Sequence, residues 1–167
     1  AKAAAFWEVA NYREAYGLFA CSGILFNHES PLRPQRFVTQ KIVAAAAKIA
    51  RGEQQKLYLG NTDIKRDWGW APEYVEAMYL MLQQDQPDDY VICTGESNKL
   101  EDFVAAAFAC VNLDWREHVV IDKSLYRPTD IAVGRGHPAK ASEVLGWKAK
   151  SKMQDVVRMM VEARMGD

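Results

Sequence analysis

Three segments of this 167-residue chain crowd polar and cationic residues in a way that packing a core does not require. They are Asn27-His28-Glu29-Ser30-Pro31-Leu32-Arg33, Gly60-Asn61-Thr62-Asp63-Ile64-Lys65-Arg66-Asp67-Trp68-Gly69-Trp70 and Tyr126-Arg127-Pro128-Thr129-Asp130. The last sets a proline-stiffened loop between a guanidinium and a carboxylate. Arginine suits phosphate because its planar fork gives paired charge-assisted hydrogen bonds and keeps its proton at neutral pH. Arg66 and Arg127, on separate loops, are candidates to clamp a pyrophosphate from opposite sides. The competing reading is that each pairs with a neighbouring carboxylate at the surface, an arrangement worth about 0–1 kcal/mol. Composition and spacing leave both open.

The elements that must hold these segments follow from periodicity. Apolar residues give a helical stripe over residues 1–15, and residues 18–26 read as a buried strand whose apolar length asks for cover on both faces. The polar segment from Asn27 follows at its carboxyl end, where open α/β sheets bind ligands. A helix is expected over residues 37–50 with Gly52 as its stop, then a strand over 56–59 and a turn at Gly60-Asn61. Pro72 and Glu73 suit the first turn of a helix carrying Val75, Met78, Tyr79 and Leu82 on one face. Strands are expected over 90–93 and 119–121. Asn98 with Glu101, and Ser151 with Gln154, read as capping boxes, and Pro138 and Gly146 bracket a short helix. The alternation argues for an α/β chain: part of a Rossmann-type parallel sheet plus a smaller α+β lobe, with no linker between separable domains.

Composition narrows the partners. Hydrophobic residues make up 49%, charged residues 26%, and the formal net charge is −1. No global field recruits nucleic acid or an acidic membrane, and no run nears the ~20 apolar residues of a membrane span. Cys21, Cys93 and Cys110 are odd in number and far apart, which favours free thiols and a cytoplasmic setting. His118 and His137 stand alone, so no metal site is expected. Trp68 and Trp70 read as core or lobe-interface anchors, and Met78, Met81, Met159 and Met160 as packing residues. A helix that begins at residue 1 without a cap suggests a piece of something longer.

Taken in order, these segments resemble the GDP-mannose 4,6-dehydratases. The similarity lies in Asn11-Tyr12-Arg13-Glu14-Ala15-Tyr16-Gly17-Leu18-Phe19-Ala20, in Gly23-Ile24-Leu25-Phe26-Asn27-His28-Glu29-Ser30-Pro31 and in Phe37-Val38-Thr39-Gln40-Lys41-Ile42. It continues through Leu59-Gly60-Asn61, Lys65-Arg66-Asp67-Trp68-Gly69, Tyr74-Val75-Glu76-Ala77-Met78, Tyr126-Arg127-Pro128-Thr129-Asp130 and Leu145-Gly146-Trp147-Lys148. The arginine-aspartate-tryptophan triplet marks extended short-chain dehydrogenases generally, whereas Asn-His-Glu-Ser-Pro, together with the other segments, is specific to the dehydratase.

The resemblance implies the carboxyl-terminal portion of such an enzyme over residues 1–167, mainly its nucleotide-sugar lobe, using NADP to turn GDP-mannose into GDP-4-keto-6-deoxymannose. Lys2 matches the lysine of a Tyr-x-x-x-Lys signature whose tyrosine would lie upstream of Ala1. That lysine is expected to act in catalysis and to bind cofactor ribose. His28 and Arg33 match cofactor-contacting positions, and Asn27, Lys41, Gly60, Asn61, Arg66, Arg127 and Asp130 match positions around the GDP-sugar. A homodimer or homotetramer is implied for the whole enzyme, and the chain alone is expected to be inactive and prone to self-associate. Two departures stand out: Asp130 replaces a usual glutamate, and His137 replaces an aspartate, which weakens a helix cap by about 1 kcal/mol. The alternatives are a non-catalytic nucleotide-sugar-binding module and an epimerase or dehydratase acting on another nucleotide sugar.

Overall fold

Along residues 1–166, which the computed structural model describes, helices and strands alternate. The first half holds α1 (Lys2–Tyr16), β1 (Ser22–Leu25), β2 (Asn27–Glu29), α2 (Val38–Ala50), β3 (Leu57–Leu59), β4 (Lys65–Arg66), β5 (Trp68–Trp70) and α3 (Ala71–Met81). The second holds β6 (Asp89–Ile92), β7 (Asn98–Lys99), α4 (Leu100–Ala109), α5 (Trp115–His118), β8 (Val119–Ile121), α6 (Ala139–Leu145) and α7 (Met153–Gly166). Strands pair two by two. β1 with β6, β2 with β5 and β3 with β8 are parallel, and β4 with β7 is antiparallel. Parallel partners need long crossovers, and the helices supply them.

The larger core comes from three helices whose apolar residues recur at helical spacing. α2 buries Ile42, Val43, Ala46 and Ile49; α4 buries Leu100, Phe103, Val104, Ala107 and Phe108; α7 buries Met153, Val156, Val157, Met160 and Val161. Each set forms one stripe, and the stripes face one another with Leu57, Leu59 and Trp68. Each fully buried large side chain contributes about 1.5–3 kcal/mol. A smaller core joins Tyr74, Ala77 and Met81 of α3 to Tyr90, Ile92, Ala141, Leu145 and Trp147. Glu73 links the two cores. Its carboxylate accepts from the Ser151 hydroxyl at 2.5 Å and from the Lys150 N–H at 2.9 Å, while its carbonyl accepts from the Trp147 indole at 2.9 Å.

Several expectations change in the folded chain. Residues 18–26 do not form one buried strand: β1 covers only Ser22–Leu25, and Leu18, Phe19 and Ile24 are exposed. Phe26 still donates to the Ile92 carbonyl at 3.0 Å, after which pairing passes to β5, so the expected polar loop begins as strand β2. The α1 helix forms but buries none of its residues. On α3, Val75, Met78, Tyr79 and Leu82 face outward while Tyr74, Ala77 and Met81 are buried. Two faces of that helix are apolar, and periodicity alone cannot choose between them. Both capping boxes are displaced. The Lys99 N–H donates to Asp102 with Asn98 in β7, and the Lys152 N–H donates to Asp155 with Ser151 turned to Glu73. The α6 helix starts at Pro138 without a side-chain cap and ends at Gly146 in the left-handed region, φ 64°. Met81 and Met160 are core residues, whereas Met78 is exposed.

The Tyr74 hydroxyl is buried without a hydrogen-bond partner, and burial pushes its pKa well up. A Cβ at Gly69 would lie 2.6 Å from that oxygen. Tyr74→Phe is therefore expected to leave stability unchanged or raise it by up to about 1 kcal/mol in urea unfolding. Gly69→Ala should cost about 1–3 kcal/mol by overpacking. A clear loss of stability in Tyr74→Phe would show that the hydroxyl has a partner after all.

Candidate functional site

A cavity of about 630 Å³ opens between the start of α2, the ends of β2 and β3, and the segment that follows β8. Its volume lies within the ~300–1,000 Å³ range of small-molecule sites. Asn27, Lys41, Gly60, Asn61, Arg66, Arg127 and Asp130 all line it, although they come from distant parts of the chain. Lys2, His28 and Arg33 do not.

Local chemistry explains how these residues reach one place. A Cβ at Gly60 would stand 2.8 Å from the Leu125 carbonyl oxygen, so glycine lets the two backbones touch. The Asp122 N–H donates to the Leu59 carbonyl at 2.8 Å, and the Asp122 carboxylate accepts from Ser124 in a 3-10 turn over Lys123–Leu125. These contacts anchor the chain leading to Arg127 beside the end of β3. The Asn61 side chain accepts from the Asp63 N–H at 2.9 Å, tightening the loop into β4. Lys41 donates to the Tyr58 carbonyl at 2.6 Å. Trp68 is fully buried, packs 5.2 Å from the Phe103 ring, and serves both the larger core and the cavity wall.

The two readings of the arginines separate here. The Arg66 guanidinium lies 2.8 Å from Asp130 and also donates to the carbonyls of Lys65 at 2.8 Å and Ile131 at 2.6 Å. It therefore has a carboxylate partner and still borders the cavity. Arg127 has no carboxylate or hydrogen-bond partner for its guanidinium among the described residues. The α2 helix begins at Phe37 without a side-chain cap and with no acidic residue in its first turn. Its positive end adds to a lining in which Arg36, Lys41, Arg66 and Arg127 outnumber Asp130. The sequence reading passed over Arg36 and Phe37. The available signal was a cation and an aromatic residue directly ahead of a helix that has no polar cap. Asp67 was also passed over. It is fully buried and accepts from the N–H groups of Thr94 at 2.9 Å and Gly95 at 2.8 Å, tying β5 to the loop after β6.

His28 sits apart, its ring 5.0 Å from that of Tyr74. Its Nδ1 is 2.8 Å from the Phe26 carbonyl, which can only accept, so Nδ1 is the donor there and Nε2 is the ring nitrogen left for another partner. The Arg33 guanidinium lies 3.8 Å over the Phe37 ring, with Nε 3.3 Å from Glu29 but without a well-directed hydrogen bond. Lys2 is exposed in the first turn of α1.

A family model described as GDP-mannose 4,6 dehydratase matches residues 1–160. The chain belongs to that family. It is 54% identical over 161 residues to GDP-mannose 4,6 dehydratase 1 of Arabidopsis thaliana, covering 96% of this chain and 45% of that protein. It is 45% identical over 180 residues to the Homo sapiens GDP-mannose 4,6 dehydratase, covering 98% of this chain and 48% of that protein. Among solved structures, RMD from Pseudomonas aeruginosa complexed with NADPH superposes with a TM-score of 0.84 at 19% identity, over 95% of this chain and 51% of that one. The fold is thus the α/β, Rossmann-type arrangement of such enzymes, and this dehydratase-family chain spans about half the length of the curated relatives it matches.

Glu29, in the family's Asn-His-Glu-Ser-Pro segment, yields a pH test. Burial pushes its carboxyl above the ordinary value of 4.5, and the Thr39 hydroxyl at 2.8 Å and nearby Arg33 offset only part of this. A raised folded-state pKa means stability that is fully present below the unfolded pKa and is lost as pH rises through the folded one. Glu29→Gln removes that dependence. Across a pH series of urea midpoints, the variant should gain on the wild type as pH climbs above 4.5 and level off past the folded pKa. Parallel curves would show that Glu29 titrates normally.

Proposed function

We propose that this chain forms the nucleotide-sugar side of a cytoplasmic GDP-mannose 4,6-dehydratase that works with NADP. The reading is carried by one cavity that gathers cations from α2, β4 and the 122–130 segment onto a single wall-to-wall site. Such a lining offsets diphosphate charge, while Asn27, the 60–61 backbone and Asp130 hold sugar, ribose or base groups by hydrogen bonds. NADP, if bound, would supply reversible hydride storage, so that oxidation at sugar C4 and reduction at C6, with loss of water across C5 and C6, would balance without net use of cofactor. Three residues outside that cavity have the chemistry to serve that cofactor. His28 offers Nε2, Arg33 brings a cation whose buried Nε lacks a hydrogen bond, and Lys2 presents an ammonium for ribose hydroxyls and for a neighbouring phenolate. The resemblance gives Lys2 a tyrosine partner that these 167 residues do not supply, so they are expected to bind without turning over by themselves. The resemblance to the family supports a dimer or tetramer for the whole enzyme.

Calorimetric titration with GDP-mannose and with UDP-glucose tests the assignment. GDP-mannose should bind at least tenfold more tightly, a difference of about 1.4 kcal/mol. Lys41→Glu should abolish that binding while the far-ultraviolet spectrum is unchanged. Equal affinity for the two nucleotide sugars would remove the assignment. Incubation with GDP-mannose and NADP should give no 4-keto sugar, and its appearance would refute the placing of the tyrosine.

A further inference from the structure

Resting on the reading of Arg33 as a cofactor-contacting cation, we propose that Glu29 is its positioning residue. With Thr39 and Phe37 it holds the Arg33 guanidinium so that the outer N–H groups stay open to an oxyanion. Arg33 is held on two sides. Its flat face lies 3.8 Å over the Phe37 ring, and its Nε stands 3.3 Å from the Glu29 carboxylate. Stacking on a ring uses the face of a guanidinium and leaves its in-plane donors available. The two Nη groups have no hydrogen-bond partner among the described residues, and, unlike Nε, they are not closed off from solvent. The turns around them are tied as well. The Arg33 N–H donates to the Ser30 carbonyl at 3.0 Å, and the Phe37 N–H donates to the Pro34 carbonyl at 3.1 Å. The fork is thus fixed at its base and open at its tip, so an arginine in this state takes a phosphate without first having to be ordered.

Glu29 is fixed more firmly than the arginine it faces. It is 1% exposed, its backbone pairs with Trp70 of β5, and the buried Thr39 hydroxyl in the first turn of α2 donates to its carboxylate at 2.8 Å. Strand and helix therefore both locate the carboxylate. A glutamine there would fill the same space and still accept from Thr39, without bringing a charge into the interior. What the carboxylate adds is its charge, and burial works against that charge. The groups whose charge bears on it are Arg33 and His28, the two residues that the family resemblance assigns to the cofactor. Packing has no use for such a charge. Orienting Arg33 does.

The test is proton–nitrogen NMR of the 167-residue chain at neutral pH, following the Arg33 Nε–Hε resonance during titration with NADP and, separately, with pyrophosphate. Both probes should shift the resonance in the wild type. In Glu29→Gln its exchange with water should quicken, and both Kd values should rise about fivefold or more. Thr39→Val keeps Glu29 but removes the hydroxyl that holds it, and should move both readouts the same way by a smaller factor. Glu29→Gln is also the variant expected to gain stability as pH rises, so weaker binding by the more stable protein separates positioning from a purely structural role. Unchanged exchange or unchanged Kd values in Glu29→Gln would overturn the proposal. If pyrophosphate behaves as stated but NADP leaves the wild-type resonance in place, the cofactor reading of Arg33 falls and the positioning by Glu29 stands. If neither probe shifts it, both fall.

Discussion

At Gly69 the backbone lies against the ring of Tyr74 with no space for a side chain, and this approach sets the course of β5. Three neighbouring residues then reach three different places. Asp67 turns inward to two backbone N–H groups after β6, Trp68 enters the larger core and the cavity wall, and Gly69 pairs with His28 while admitting Tyr74 of the smaller core. A shift of β5 by one residue would send Trp68 to the wrong face and strand a buried carboxylate. The cavity is thus tied to both cores through a very short strand. Its shape depends on packing several residues away from any ligand.

The cavity's positive surplus is sustained by how its cations are held. Lys41 and Arg66 are fixed by backbone carbonyls, which orient them without cancelling their charge. Only Arg66 meets a carboxylate, and that pair is partly buried, with 18% and 27% of the two side chains exposed. Repulsion among the remaining cations is eased by solvent and by separation onto different elements. An anionic ligand would relieve what remains. Glu29 shows the contrary case: a carboxyl closed off from water, beside an arginine that stacks on a ring instead of bonding it squarely.

The family relation and the folded chain meet at the surfaces left open. α1 buries nothing, β1 is paired on one side by β6, and aromatic side chains stand exposed from Trp7 to Phe19. The matched relatives are about twice as long. The cavity beside α2, by contrast, is lined by this chain's own elements.

Helix positions, and much of the site, were legible in the sequence because the signals are local. Apolar stripes at helical spacing define α2, α4 and α7, Pro72 and Gly146 mark ends, and an ordered run of short segments points to one family. Which face of α3 is buried was not legible, since Val75, Met78, Tyr79 and Leu82 repeat as regularly as Tyr74, Ala77 and Met81; only Tyr90, Ile92 and Trp147 select between them. The length of β1, the partners of Ser151 and Asn98, and the position of Arg36 on the cavity wall were equally hidden. Residue types and their spacing picked out the cations and glycine turns but left a phosphate clamp and surface ion pairs both open for the arginines, with the tryptophans read as anchors. Tertiary structure decided which guanidinium is spent on Asp130 and which remain free, because that turns on contacts between residues 64 positions apart in the chain.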